Sequence, residues 1–433
     1  MPEANKNHKG KSFCWYSNVK VSIMSKTVKV KFEFHNVGQG LFYTGKIKDF
    51  HFVYDCGSKN NRYLKDAILN YKTREQMNTI YLLVVSHFHD DHIIGLDYLL
   101  NNFKVDTVII PYFSPIERLI LALNKIALPA WYYDYLSDPV SFLFEKEVKT
   151  IVIIGGTEGE EREFSPGDIQ PSPDEGEKAK PIDFEEMRED EELKKHIYYF
   201  DPQWKFIPSG KKLLIKNHAC LLKVLGIWLF RFFNYKLEEN RLTQFEDCLK
   251  GINIDVVNMD SIRDSIKNHS KRKLLKDCYG VLNRNLNYTS LVMYHGPCGN
   301  YETDVYNAHS CNISCPYGLC CYWHHDNKNH MGQFLTGDID LNHRYCDLKT
   351  HYKGLLDRII VVQIPHHGAQ KTWRKDILND IPNCLFWVVS SGLSNRYGHP
   401  HLNVVSDIIK KGYVLSWSNE LNQIMIKGEV KWY

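Results

Sequence analysis

The 433-residue chain lacks an unbroken apolar run long enough to cross a bilayer. Its longest apolar stretch, 213–233, is interrupted by Lys216, His218, Lys223 and Arg231, so it is read as one or two buried strands. The first residues are polar and basic with no apolar segment behind them, which argues against a secretory signal. Strong charge of one sign is also missing. Fifty-four Lys and Arg against 51 Asp and Glu leave a net charge of only +3, too little for a binder that works by bulk positive charge. Twelve cysteines over this length are too sparse for a disulfide-framed secreted module. There is no internal repeat, which excludes solenoids and propellers. A cytoplasmic location without membrane association is expected.

Short apolar runs alternate with amphipathic stretches. Residues 28–34 (VKVKFEF) alternate as a strand does, and the glycine turn Asn36-Val37-Gly38-Gln39-Gly40 follows. Residues 81–86 (YLLVVS) form a continuous apolar run of the kind that becomes a strand buried on both faces. Helical spacing marks 63–71 and 93–100. Further strands are expected at 105–110, 150–154, 291–294, 334–336, 359–364 and 385–389. Strand–helix alternation of this kind argues for a layered α/β fold. Residues 1–25 read as a flexible tail and 26–433 as one domain. Within that domain, 111–285 reads as an insertion or cap, and its acidic, proline-rich stretch 155–193 as a disordered loop. Protein partners would bind through the insertions.

The chemistry concentrates in Ser86-His87-Phe88-His89-Asp90-Asp91-His92, directly after the buried run and before a helix. Imidazole and carboxylate are ligands that zinc, manganese and iron accept. A turn at a strand end can point alternate side chains into one cavity. His87 and His89 would then share one metal, with Asp91 and His92 facing a second. The alternative is a polar turn that is merely rich in histidine.

His-x-His-x-Asp-His resembles the signature of the metallo-β-lactamase superfamily. The resemblance implies an αββα four-layer sandwich with a metal site along one edge of its two sheets. Val37-Gly38-Gln39-Gly40 and Asp55-Cys56-Gly57 resemble the family's opening hairpin, and Leu335-Thr336-Gly337-Asp338 the segment whose aspartate bridges two metals. Pro365-His366-His367-Gly368 resembles the segment carrying the last histidine ligand, and Asn395-Arg396-Tyr397-Gly398-His399-Pro400 completes the set. As a group these motifs are most similar to the metallo-β-lactamase domain of ComEC-like competence proteins. The match covers roughly half the chain in pieces and leaves out the membrane channel of those proteins. It implies a nuclease or phosphodiesterase acting on DNA or RNA.

On that resemblance the metal ligands are His87, His89, Asp91, His92, Asp338 and one or both of His366 and His367. His366 is preferred as the first residue past the Pro365 turn, with His367 as a supporting donor. Asp338 could instead be a helix N-cap. One or two divalent ions, Zn2+ or Mn2+, are expected, and they would lower the pKa of a water from about 15.7 to about 7. Asp91, Asp338 and His399 are the expected catalytic groups. Asp91 would orient the hydroxide, and His399 would donate to the phosphate or leaving oxygen, or else only brace its loop. Many superfamily members have a further histidine near 287–292. Here Asn287 and Ser290 stand in that region, able to contact substrate or brace the metal loop, and His295 is a candidate replacement ligand. Arg396 and Lys371 could neutralise phosphate charge.

A second cluster lies in the insertion 295–333. Cys311, Cys315, Cys320, Cys321, His324 and His325 could supply a structural zinc, which would staple a loop too long to hold itself. Two other functions remain open: hydrolysis of small esters, lactones or thioesters, and a non-catalytic metal-binding sensor or partner-binding protein.

Overall fold

Runs of β-branched and aromatic residues become strands packed on both faces, as in β4 (Thr79–Val84, TIYLLV) and β15 (Ile359–Gln363, IIVVQ). The computed structural model describes residues 26–124, 127–156, 171, 182–183, 189–235, 247, 249, 251, 259–273, 275, 290–307 and 325–432. Among these, two sheets are formed. The first runs β13 (His325–Lys328), β12 (Glu302–Asn307), β18 (Ile424–Trp432), β1 (Lys26–Phe34), β2 (Phe42–Ile47), β3 (Phe50–Cys56), β4, β5 (Lys104–Pro111), β6 (Thr150–Gly155) and β8 (Lys212–Asn217). The second runs β17 (Leu415–Ser418), β16 (Phe386–Ser390), β15, β14 (Gly332–Leu335), β11 (Val292–Pro297), β10 (Trp228–Phe233), β9 (Leu221–Val224) and β7 (Ile182–Asp183). No described helix is long and apolar enough to cross a membrane.

The sheets face each other. Phe32, Tyr43 and Phe52 of the first meet Trp228, Phe230 and Met293 of the second in a continuous apolar layer. Helices cover both outer faces. Helix Asn61–Glu75 lays Leu64, Ala67, Ile68 and Tyr71 on the first sheet, and helices Leu341–His351 and Leu402–Lys410 cover the second. This is the expected αββα order of layers. Strands β3, β4, β5, β6 and β8 run parallel to one another, and so do β14 to β17. The carboxyl ends of such strands are where α/β folds hold ligands.

The span 111–285, expected as an insertion or cap, supplies strands to both sheets. β6 and β8 extend the first, and β7, β9 and β10 extend the second. Their apolar runs are short; β6, β9 and β10 pair on both sides, while β8 and β7 close the sheets as edge strands. The helical remainder packs beside them, with Pro115–Asn124, Ala130–Ser137 and Met259–Lys267 in mutual contact. Residues 1–25 and most of 155–193 lie outside the described residues.

An ion cluster fixes helix Asn61–Glu75 to the first sheet. Glu75, whose side chain is 6% exposed, contacts Lys31 and lies 3.3 Å from Lys46 Nζ. Arg74 reaches the buried Glu33, with Nη1 donating to Oε1 at 3.0 Å. Burial works against the Glu75 carboxylate, but Lys31, Arg74 and Lys46 outweigh it and bring its pKa from 4.5 to about 2. Burial pulls Lys31 below its ordinary value, so the lysine returns part of that gain. A depressed carboxylate stabilises above its unfolded pKa and loses that contribution as pH falls through the folded one. Glu75→Gln should therefore cost about 1–2 kcal/mol at pH 7 and progressively less below pH 4.5. Urea midpoints of both proteins at neutral and acid pH would check this; a gap that does not narrow in acid contradicts it.

Candidate metal centre

Strand β4 ends at Val84, and the chain then passes through the 86–92 loop with alternate side chains on opposite sides. Phe88 turns outward onto Phe113 and Tyr135, while its carbonyl accepts from the Tyr132 hydroxyl at 2.8 Å. That anchor turns His87 and His89 inward, their ring centroids 4.8 Å apart. Residues Asp90–Ile93 then form one helical turn that brings His92 to 4.1 Å from His87, centroid to centroid.

Three other loops close on this one from the carboxyl ends of β3, β14 and β15. Asp55, in the left-handed region at φ 58, accepts from Ser86 N and Ser86 Oγ, both at 2.6 Å, and from His92 Nδ1 at 2.7 Å. Gly57 follows because a Cβ there would lie 2.3 Å from the Asp91 carbonyl. The Leu335–Asp338 turn is held by Gln363, whose Oε1 accepts from Thr336 N and Gly337 N at 2.8 Å each. Gly337 has φ +55 and packs on Ser86, where a Cβ would come within 3.0 Å.

Asp338 lies at the centre. Its Oδ2 is 3.7 Å from both His87 Nε2 and His366 Nε2, while Oδ1 is 3.1 Å from His92 Nε2 and 3.9 Å from His367 Nε2. Two groups have ligand atoms mutually within 4.8 Å: His87, His89 and Asp338, and His92, Asp338 and His367. Four of these atoms, His87 Nε2, His92 Nε2, His367 Nε2 and Asp338 Oδ1, are buried without a well-aligned hydrogen bond, although His92 Nε2 and Asp338 Oδ1 face each other at 3.1 Å. Orphaned polar atoms cost free energy unless something satisfies them. Imidazole nitrogens and carboxylate oxygens converging this way are a donor set that fits a divalent metal.

Electrostatics agree with the geometry. Burial pushes the Asp338 carboxyl upward, but His92, His366 and His367 outweigh it and hold it well below the usual carboxylate range. Burial likewise opposes charge on His92, yet Asp338 and Asp55 on either side raise its pKa well above the ordinary value. Burial lowers His87 well below its ordinary value and brings His89 to about 4, so both offer neutral imidazoles.

Several expectations change. His367, not His366, joins the three-residue group. It is buried, and its Nδ1 donates to the Ser390 carbonyl at 2.7 Å, which aims Nε2 inward. Past the Pro365 turn both histidines adopt left-handed backbone, at φ 48 and 56, so both side chains approach Asp338. His366 stays at the rim with its side chain 28% exposed. Asp91 stands outside both groups. Its Oδ2 lies 3.6 Å from His367 Nε2 and 3.0 Å from Lys59 Nζ. Burial raises its pKa, but Lys59, His367 and His92 bring it well below the ordinary value. The N-cap of helix Leu341–His351 is Asp340, not Asp338.

Ser290 is fully buried, so it does not meet a substrate. Its hydroxyl accepts from Asp338 N at 3.1 Å and lies 3.3 Å from His87 Nδ1, bracing the loop. His295 is no replacement ligand. It sits in the inter-sheet core between Tyr43 and Trp228, 2.9 and 3.2 Å away, where burial draws its pKa to about 3. His399 borders the centre, its ring 5.8 Å from His366, and its Nδ1 lies 3.5 Å from Gln39 Nε2. Burial and the adjoining imidazoles draw its pKa to about 3, so it has one N–H to donate and no stored proton. Arg396 and Lys371 are exposed on neighbouring loops. Asn287, Cys311, Cys315, Cys320, Cys321 and His324 lie outside the described residues, and of His325 only the backbone, in β13, is described.

Two residues were missed. Asp55 carried a signal in Asp-Cys-Gly, because an Asp at a strand end can adopt a left-handed backbone. Lys59, which also lies 2.7 Å from Asp90 Oδ1, carried no signal.

A family model for the metallo-β-lactamase superfamily matches residues 39–179. No curated protein matches the chain significantly. Among solved structures, the chain is similar to the metallo-β-lactamase fold protein YhfI from Bacillus subtilis. The identity is 9%, over 92% of this chain and 99% of that one, with a TM-score of 0.35. It is also similar to a long form RNase Z from yeast, at 10% identity over 91% of this chain and 41% of that one, with a TM-score of 0.32. Residues 39–179 thus resemble the metallo-β-lactamase superfamily, and the paired sheets flanked by helices, with the histidine–aspartate group at their strand ends, are consistent with that fold.

Proposed function

We propose that this chain is a metal-dependent phosphodiesterase that hydrolyses DNA or RNA in the cytoplasm, with Zn2+ or Mn2+ held by His87, His89, His92, Asp338 and His367. The observation that carries this reading is the convergence of buried imidazole nitrogens on the Asp338 carboxylate, with four atoms of the group making no well-aligned hydrogen bond. A bound divalent ion would supply Lewis acidity toward a phosphoryl oxygen and acidify a water. Asp55 and Ser390 hold His92 and His367 with Nε2 aimed at the centre. Lys59 neutralises Asp91 and keeps that carboxylate at the rim. His399, as a neutral imidazole, can donate one hydrogen bond to a phosphate oxygen there. The resemblance of VGQG, LTGD, PHHG and NRYGHP to ComEC-like domains supports nucleic acid as the substrate, and the exposed Arg396 and Lys371 on adjacent loops suit a phosphate backbone.

The test is degradation of single-stranded and duplex DNA and RNA by the full chain with Mn2+ or Zn2+, beside turnover of p-nitrophenyl acetate. Nucleic-acid cleavage that His89→Ala lowers by at least about a hundredfold is expected. Ester turnover without nucleic-acid cleavage would replace the reading with a small-ester hydrolase. Metal binding without either would make the chain a sensor.

A further inference from the structure

A run of flat side chains leads from the metal-ligating residues to the surface. The His399 ring is tilted only 25° from that of His367, with centroids 6.2 Å apart. Tyr397 continues the run at 24° and 5.6 Å from His399. The Arg396 guanidinium lies 5.1 Å from the Tyr397 ring centroid, and its Nη2 donates to the Tyr397 hydroxyl at 3.0 Å. Tyr397 is 42% exposed.

Tight hydrogen bonding holds the backbone beneath this exposed ring in place. Asn395 Nδ2 donates to the carbonyls of Gly392 and His399, each at 2.6 Å. Its Oδ1 accepts from the backbone N–H of Tyr397 at 3.1 Å and of His399 at 2.9 Å. Gly398 completes the turn at φ +72, with open space on its side-chain side. A ring on so fixed a turn with much of its area in water contributes little to the core. A planar cation beside an aromatic face suits a flat π-system with negative charge close by, as in a nucleobase and its phosphate.

We propose that Arg396 and Tyr397 form a stacking shelf for an unpaired nucleobase, beside the phosphodiester that the metal centre would engage. The preferred ligand is then single-stranded nucleic acid, because bases in a duplex have both faces covered by their neighbours. The position of the phosphate rests on the hydrolase reading; base stacking itself requires no turnover.

The test is fluorescence anisotropy with Mn2+-loaded full-length protein and a short, hydrolysis-resistant phosphorothioate single strand. An abasic version of the same strand and the matching duplex serve as comparisons. Tyr397→Ala should weaken binding of the base-bearing strand by about ten- to a hundredfold, and Tyr397→Phe should preserve it. The abasic strand should bind wild type weakly and Tyr397→Ala no worse. Equal affinities for wild type and Tyr397→Ala, equal affinity of wild type for the abasic strand, or a duplex that competes equally would each overturn the shelf. Turnover of an unmodified strand is read in parallel. Base-dependent binding without turnover supports the shelf and removes the hydrolase reading; turnover with Tyr397-independent binding removes the shelf alone.

Discussion

Asp338→Ala is expected to lower divalent-metal affinity and phosphodiester turnover together, each by at least about a hundredfold. Residues that merely support a metal ligand cost about 10–100-fold when removed, and a ligand shared by two candidate groups should cost no less. Both oxygens of Asp338 are engaged, Oδ2 facing His87 and His366, Oδ1 facing His92 and His367. Without the carboxylate, several imidazoles crowd one pocket with Asp55 and Asp91 left as the nearby counter-charges. Asp338→Asn keeps the volume but loses the charge, so it should resemble the alanine variant in metal affinity while unfolding nearer to wild type. Equilibrium dialysis with metal analysis, combined with thermal unfolding, separates the two effects. Unchanged affinity in both variants would show that Asp338 is not a ligand.

Asp55→Asn should leave the fold nearly intact yet weaken metal binding by about 10–100-fold. A carboxylate only accepts, so His92 donates from Nδ1 to Asp55, which leaves Nε2 as the nitrogen that would give up its proton and bind a metal. An asparagine tolerates the left-handed backbone of position 55 and can still accept from Ser86 N. Its amide N–H then faces His92 Nδ1, which favours the opposite tautomer and places a proton on Nε2, where a metal would bind. Asp55→Ala is harsher. It strands Ser86 N and removes the carboxylate partner of Ser86 Oγ and His92 Nδ1 in a buried site, with an expected cost of roughly 3–5 kcal/mol. Melting temperatures and metal titrations of both variants check this. An Asn variant that binds metal as wild type does would remove the tautomer argument.

Continuous apolar runs were enough to place most strands that carry the site. The apolar runs at 81–86, 359–364 and 385–389 become β4, β15 and β16, because a strand buried on both faces needs little beyond its own side chains. Helix Asn61–Glu75 was legible from its spacing, although its ends depend on the Asn60 cap and the left-handed Gln76. The metal-ligand types and the 86–92 loop were equally visible, since their chemistry is local.

The amino-acid order by itself thus determined which side chains can bind metal and which runs become strands. Tertiary structure alone decided which of them converge. His367 enters the three-residue group because the carbonyl of Ser390, on a neighbouring strand, fixes its ring. Asp55 orients His92 only because β3 and β4 are adjacent and parallel. His295, so near the site in sequence, faces the inter-sheet core, since side chains along a strand alternate and packing chooses the face. Such choices follow from contacts between segments far apart in the chain, and those contacts exist only once the two sheets have closed on each other.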